Sequence, residues 1–391
     1  MADEFRLWSK NLILIFLANF FYFGSFYFLL PTLPQYVNLL GGTPGQVGLV
    51  MGFFTLASVI FRPYFGRMTD RHGRKLFMLL GSGFFIIFPI VYNIIQSIIP
   101  LYIIRVLHGL AHASFLVGSS AYVADLAPPQ RRGEVIGIYA TSNIIAMSVF
   151  PALGTLIIKD TGSFPYLFTV SAITAAAGFL AIIFISDIHS KATQALKPLS
   201  MLEVGKRMEV LMPSLAQFGG ATCYGAVITF LPLFAPQRGI ANFGIFFTIY
   251  AACAILSRVL VGRLSDRMER RKIILPFMAI LAVAVFLLPF LKSLWLLAII
   301  GALFGLGFGA FMPTLNALVV DYTPPHERGN VLGFFTASMD VGITTGSMLL
   351  GFAGDLFGYP IMFTSGGVIL VTTIIIFAVL MKPKQEYTTP G

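Results

Sequence analysis

Apolar runs of membrane-spanning length recur twelve times along the chain, at roughly 11–36, 45–65, 76–98, 100–124, 134–158, 164–186, 211–235, 242–262, 273–291, 295–319, 329–353 and 359–381. Most are about 19 to 27 residues long, which suits an α-helix crossing a hydrocarbon core about 30 Å thick and not the ~10-residue alternation of a membrane barrel. With 57% hydrophobic and 11% charged residues, the chain has too little polar surface to cover a soluble globule. An all-α membrane protein with twelve transmembrane helices is expected. The first run is too long for the apolar region of a signal peptide, follows Asp3 and Glu4, and lacks a small-residue cleavage site. It is therefore read as a retained span.

The formal net charge of +10 could suggest nucleic acid, but its placement argues for topology instead. An even number of spans puts both termini on one side, and the loops of that side hold 22 of the 26 Lys and Arg residues. Lys159, Arg238 and Lys292 fall on the other side. The positive-inside bias then places both termini in the cytosol of a multi-pass protein of a bacterial plasma membrane. Cys223 and Cys253 lie within predicted spans, where they behave as small apolar residues, and no disulfide framework is expected.

Nearly the same charged decapeptide occurs twice: "GRMTDRHGRK" at 66–75 and "GRLSDRMERR" at 262–271. At the same offset of 196, Arg62 meets Arg258, and "DLAPPQRRG" from Asp125 meets "DYTPPHERG" from Asp321. A third match, "LANF" at 17–20 with "LAQF" at 215–218, needs an offset of 198. Sequence, order and register agree together, so the chain reads as two homologous six-span halves. The expected division is a bundle over 1–186, a polar linker over 187–210 and a second bundle over 211–391. An even span number per half makes these parallel repeats, which rock around a midplane site.

These motifs resemble those of the major facilitator superfamily, and the resemblance covers essentially the whole chain. Gly66, Asp70, Arg71, Gly73, Arg74 and Lys75 match that family's signature loop between spans two and three. The second copy keeps Gly262, Asp266, Arg267, Arg270 and Arg271 but carries Glu269 where the family pattern prefers Gly. Within the family the chain looks most like 12-span bacterial drug and arabinose-efflux permeases. "GIANFGIFFTIYAACAILSR" and "MDVGITTG" also resemble exporters of opine-type metallophores.

The residue types of the loop have a physical reading beside the family one. Gly66 and Gly73 permit close helix approach and a tight turn, while Asp70 can sit against a helix N-terminus and neighbouring Arg side chains. Asp125 with Arg132, and Asp321 with Arg328, place an acid at the end of one span and a base at the start of the next. Such charges can pair when the cytosolic side closes and hydrate when it opens. A gate is expected here, because enforcing topology requires Arg and Lys but not the acids; otherwise exposed pairs contribute only ~0–1 kcal/mol.

Among acids only Asp340, in "FFTASMDVGITTG", lies near the middle of a span, and among bases only Arg105, in "LYIIRVLHGLAHASF", lies well within one. A charge at the bilayer centre costs at least ~2.5–3.5 kcal/mol, so neither should face lipid. Arg105 belongs to the first half and Asp340 to the second, so a direct or water-mediated link between them would respond to rocking of the halves. Each could instead be satisfied locally by hydroxyls and backbone. His108 and His112 share the helix face of Arg105, and the pair could line a cavity, relay protons or ligate a metal. "R-V-L-H-G" resembles the family's span-four motif, which implies that Arg105 is the proton-linked base; His108 stands where Gln is usual. "V-F-P-A-L-G" keeps Pro151 and Gly154 of the family's exporter signature but has Phe150 for its first Gly.

Helical spacing puts Asn19, Tyr22 and Phe26 on one face of span one, and Gln217 and Tyr224 on one face of span seven. With Asn143 in span five and Asn316 in span ten, they are expected to wall a substrate cavity, though an aromatic stripe equally serves helix packing. The chain holds no G-x-S-G, G-x-G-D, H-E-x-x-H or P-loop, so neither an intramembrane enzyme nor direct ATP drive is indicated. A receptor would not need duplicated loops. The expected function is secondary active transport, as proton-coupled efflux of a small amphiphilic compound or drug. A metallophore-like zwitterion, or proton-coupled sugar or carboxylate transport, is the alternative. Expected partners are a small-molecule substrate, protons and the lipid bilayer, with no cofactor, catalytic residue, bound metal or nucleic acid, and the chain is expected to act as a monomer.

Overall fold

The computed structural model describes residues 9–128, 131–187, 201–265, 268–324 and 327–381. The first half holds six helices: α1 (Lys10–Leu39), α2 (Pro44–His72), α3 (Arg74–Tyr92), α4 (Ile98–Leu126), α5 (Arg132–Thr161) and α6 (Phe164–Ile183). The short α7 (Met201–Gly205) follows, and then α8 (Met208–Gln237), α9 (Gly244–Ser265), α10 (Arg270–Leu287), α11 (Leu294–Asp321), α12 (Arg328–Thr344) and α13 (Leu350–Leu380). Of the expected linker, residues 188–200 lie outside the described residues.

Helix starts follow from local chemistry. At α2, Thr43 Oγ1 accepts from the Gln46 amide and Gln46 Oε1 accepts from the Thr43 amide, with Pro44 as the first helical residue. This capping box satisfies backbone donors that would otherwise be orphaned. Ser9 and Ser293 cap α1 and α11 in the simpler way.

From Arg328 to Leu380 the apolar chain is almost continuously helical for 53 residues. At 1.5 Å per residue that would reach about 80 Å, far beyond a bilayer. Gly358, with φ 80° and ψ 165°, breaks it. Around this residue the chain doubles back: a Cβ on Gly354 would lie 3.3 Å from Met362 Sδ, and one on Gly366 would lie 3.3 Å from Leu350 Cδ1. The segment is thus two antiparallel crossings, and the twelve expected spans are present.

Each half packs chiefly on itself, α1 against α5 and α6, α2 against α4, and correspondingly α8 against α12 and α13, α9 against α11. Large apolar side chains such as Leu80, Ile103, Leu180, Ile299 and Val379 are exposed around the outside, as a lipid-facing surface requires.

Contacts between halves concentrate at the end opposite the Arg- and Lys-rich loops, here termed the distal end. On α2, a Cβ at Gly45 would strike Phe352 and Asp355, one at Gly48 the Ser347 backbone, and one at Gly52 the side chain of Met348. Thr43 Oγ1 donates to Asp355 Oδ2 at 3.0 Å, and Gly244 of α9 abuts Thr155 of α5. Farther along α2, a Cβ on Gly66 would meet nothing closer than Val117 of its own half, at 4.0 Å. The expectation of a close approach at Gly66 is therefore corrected: the small residues that let the halves touch are Gly45, Gly48 and Gly52, and the halves part toward the basic end.

Candidate functional site

Between the halves lies a cavity of about 280 Å³, walled by α1, α2, α4 and α5 on one side and by α8, α9, α11 and α12 on the other. Its walls are mostly apolar, with Phe26, Phe54, Met147, Phe308 and Met339 among them. Four charged side chains interrupt that lining: Arg62, Arg105, Arg258 and Asp340.

Asp340 and Arg105 both face this cavity, but their partners differ from the expected mutual link. Asp340 Oδ2 lies 2.5 Å from Arg62 Nη1, joining α12 to α2 across the two halves. Both side chains are largely withdrawn from solvent, 14% and 22% exposed respectively. Arg105 is satisfied within its own half: Nε donates to the Val50 carbonyl at 2.9 Å, and the guanidinium lies 4.3 Å above the Phe54 ring centroid.

The reading of Arg105 as the only intramembrane base is therefore corrected. Arg62 and Arg258, one to two turns before the signature loop of each half, also reach the cavity, because α2 runs straight through to His72 and α9 to Ser265. A signal for both existed, since they align with each other at the repeat offset of 196. Sequence position alone favours a loop role for both, because long side chains near a span end ordinarily snorkel outward.

The two histidines separate. His112 lines the cavity and His108 does not. Tyr22 Oη and His112 Nδ1 are 3.0 Å apart, and Tyr92 Oη and His108 Nδ1 are 2.9 Å apart. His108 is fully buried among Phe54, Phe85 and Phe88. Among the described residues, no group of three His, Cys, Asp or Glu converges as a metal site would need.

Of the expected cavity residues, Phe26, Asn143 and Tyr224 line it. Asn143 Oδ1 accepts from Tyr27 Oη at 3.1 Å. Asn19 instead spends its amide on packing, donating to Ser142 Oγ at 2.7 Å and tying α1 to α5. Tyr22 is buried behind the wall, stacked on Phe115 at 3.6 Å. Gln217 is buried away from the cavity, and Asn316 is exposed on α11 outside it. Helix periodicity identified the inward faces but could not tell the wall from the layer behind it. Phe150 lies against Gly24, whose missing side chain leaves room for the ring.

At the basic end the two halves repeat one another in side-chain detail. Arg74, at the start of α3, pairs with Asp70 and holds Asp125 at the end of α4, Nε to Oδ2 3.0 Å. Its repeat counterpart Arg270 holds Asp321 in the same way at 2.5 Å. The expected pairings of Asp125 with Arg132 and of Asp321 with Arg328 are thus replaced: Arg132 is exposed, and Arg328 Nε donates to the Thr323 carbonyl at 3.4 Å. Lys75 Nζ donates to the carbonyls of Ile183 and Ile185 at 2.8 and 2.7 Å, and its counterpart Arg271 donates to that of Ala378. Each cation caps the C-terminal end of the last helix of its half, where carbonyls lack partners and the helix dipole favours positive charge. Arg71 and Gly262 are exposed, and Asp266 and Arg267 lie outside the described residues.

Gly73 turns the chain with φ 96°, whereas Glu269 makes the equivalent turn with φ −57°. The second loop therefore needs no glycine. Among the described residues, the ion pairs at this end each join residues of one half.

The family model described as Major Facilitator Superfamily matches residues 15–245 and again 239–390. The chain belongs to the major facilitator superfamily. This transporter is 26% identical over 359 residues to the staphylopine export protein of Staphylococcus aureus, covering 88% of this chain and 89% of that one. It is 25% identical over 383 residues to the multidrug resistance protein MdtG of Salmonella paratyphi A, covering 94% of each. A solved structure of the nucleoside transporter NupG superposes with a TM-score of 0.79 at 13% identity, over 95% of this chain and 100% of that one. The chain is thus a multi-pass membrane transporter, not an enzyme.

Proposed function

We propose that this transporter exports a small amphiphilic compound in exchange for protons, by alternating access about the central cavity. The loops rich in Arg and Lys face the cytosol on the charge bias of the sequence. The conformation described is then the one that loads cargo from inside, since the halves meet at the distal end and part toward the cytosol.

The ion pair between Arg62 and Asp340 carries the reading. Among the described residues it is the ion pair that joins the halves at cavity depth, 2.5 Å long and largely withdrawn from bulk water. A carboxylate cannot be protonated and remain an ion-pair partner, so proton binding at Asp340 and the tie to Arg62 exclude one another. Losing the pair leaves Arg62 uncompensated in a low-dielectric wall, a change large enough to bias a rocking equilibrium. Protons arriving from outside would release the tie, and their discharge to the cytosol would restore it. Support for export comes from the two relatives named for export and drug resistance, and from an aromatic and thioether lining that suits an amphiphile.

The test is proton movement in everted vesicles. With an imposed inward-acid gradient, adding a transported amphiphile should dissipate the gradient in proportion to uptake, and Asp340→Asn should abolish that response. Uptake that proceeds at the same rate with the gradient collapsed would overturn proton exchange.

A further inference from the structure

The repeat that pairs Arg62 with Arg258 predicts an acid that the sequence does not supply. Around Asp340 the offset of 196 stays in register, with Gly133, Val135, Gly137 and Ser142 opposite Gly329, Val331, Gly333 and Ser338. Position 340 then corresponds to Ile144. The second half thus provides a carboxylate for Arg62, while the first half provides none for its twin. Among the described residues Arg258 has no ion-pair partner, and its Nε has no hydrogen-bond acceptor although it is buried from solvent. A guanidinium with a shielded, unpartnered nitrogen on a half-buried side chain retains an unmet demand for an acceptor, best served by an anion.

Other features of the cavity keep that demand open. Three guanidiniums and one carboxylate line it, and the carboxylate is engaged by Arg62. Arg105 is already served by a carbonyl and an aromatic face. Tyr27 and Tyr224 line the wall alongside Arg258, and Phe308 stacks on Tyr224 with ring centroids 4.8 Å apart. An anionic head at Arg258 would therefore lie beside an aromatic surface.

We propose that Arg258 is the anchor for cargo, and that the cargo is an amphiphile bearing a carboxylate or similar single anionic group beside an apolar or aromatic body. Built on the transport reading above, this names the substrate class of the same cavity. The guanidinium pairs with the anion in two-pronged fashion, and cargo supplies the charge that pseudo-symmetry leaves missing. Cationic drugs are disfavoured at the same position, since they would add to an existing excess of positive charge.

The test is equilibrium binding, which needs neither a proton gradient nor a known direction, so its failure is distinguishable from failure of the export reading. The full chain in lipid nanodiscs is titrated calorimetrically with N-benzoylglycine and, separately, with its primary amide, which has the same shape without the charge. Wild type is expected to bind the carboxylate at least tenfold more tightly than the amide. Arg258→Gln should lose that preference by a factor of about 10 to 100, the range for a hydrogen bond to a charged group, while Arg258→Lys keeps part of it. Arg105→Gln, if monodisperse, should keep the preference. Equal binding of acid and amide by wild type, absence of binding by either, or a preference that survives Arg258→Gln overturns the proposal. Were Arg258→Gln to misfold, the Arg258→Lys variant decides alone: an unchanged preference with altered geometry of the donor would count against a two-pronged anchor.

Discussion

Arg62 on α2 and Asp340 on α12 meet at 2.5 Å across the cavity, joining segments 278 residues apart in the chain. Both belong to spans that also pack together at the distal end, where Gly48 abuts the Ser347 backbone. Electrostatic and steric contact between the halves therefore run along one seam. This arrangement suits a switch, because removing the charge pair loosens the seam without dismantling either bundle.

Asp340→Asn preserves shape and removes the charge. Transport driven by a pH step should vanish while the chain stays monodisperse in detergent. A double-mutant cycle with Arg62→Met should show the double variant less impaired in thermal stability than either single one, since each single change strands a shielded polar group. Strict additivity of the two effects would show that the pair is not energetically coupled.

Gly73 and Glu269 occupy equivalent turns with different backbones, φ 96° and φ −57°. Gly73→Ala should destabilise by about 1–3 kcal/mol, the cost of placing a Cβ at φ 96°, ψ 154°, a backbone region essentially confined to glycine. Glu269→Ala should be near neutral. Midpoints of heat-induced loss of the monodisperse peak distinguish the two, and equal effects would contradict the turn assignment.

Side chains added at Gly48 have no room, since the Ser347 carbonyl sits where the Cβ would go. Gly48→Leu should push the distal ends apart and favour the alternative conformation. Spin labels at Leu39 and Leu356, both exposed, introduced with Cys223 and Cys253 replaced by Ala, should report a longer distance than in the parent. Gly66→Ala, with open space around it in this conformation, should leave that distance unchanged.

Asp125 is held by Arg74 at 3.0 Å with 20% of its side chain exposed, whereas Arg132 is exposed. Asp125→Asn should lower stability by about 1 kcal/mol, allowing for solvent screening at a partly exposed site. Arg132→Gln should have no measurable effect on stability, and a loss matching that of Asp125→Asn would revive a pairing between those two residues.

Much of the architecture could be read directly in the residue string. Twelve apolar runs, the duplicated loop and the one-sided basic residues specify helices, two related bundles and a direction of insertion, because hydropathy, spacing and charge bias are properties of consecutive residues acting against a bilayer. The glycine at 73 was legible for the same reason, a local backbone demand. Which acid meets which base was not. Asp125 and Asp321 each had a base seven residues away in sequence, yet both are taken by arginines 51 residues distant, Arg74 and Arg270, because a helix end faces its packed neighbour and not its own successor. Asn19 and Asn143 looked equivalent as polar residues on inward faces, but one is consumed by Ser142 and the other opens to the cavity. Arg62 stands close to a loop in sequence, whereas the second half supplies the carboxylate that it meets in the cavity. Such choices depend on distances between segments that share no sequence neighbourhood, and only packing of the two bundles determines them.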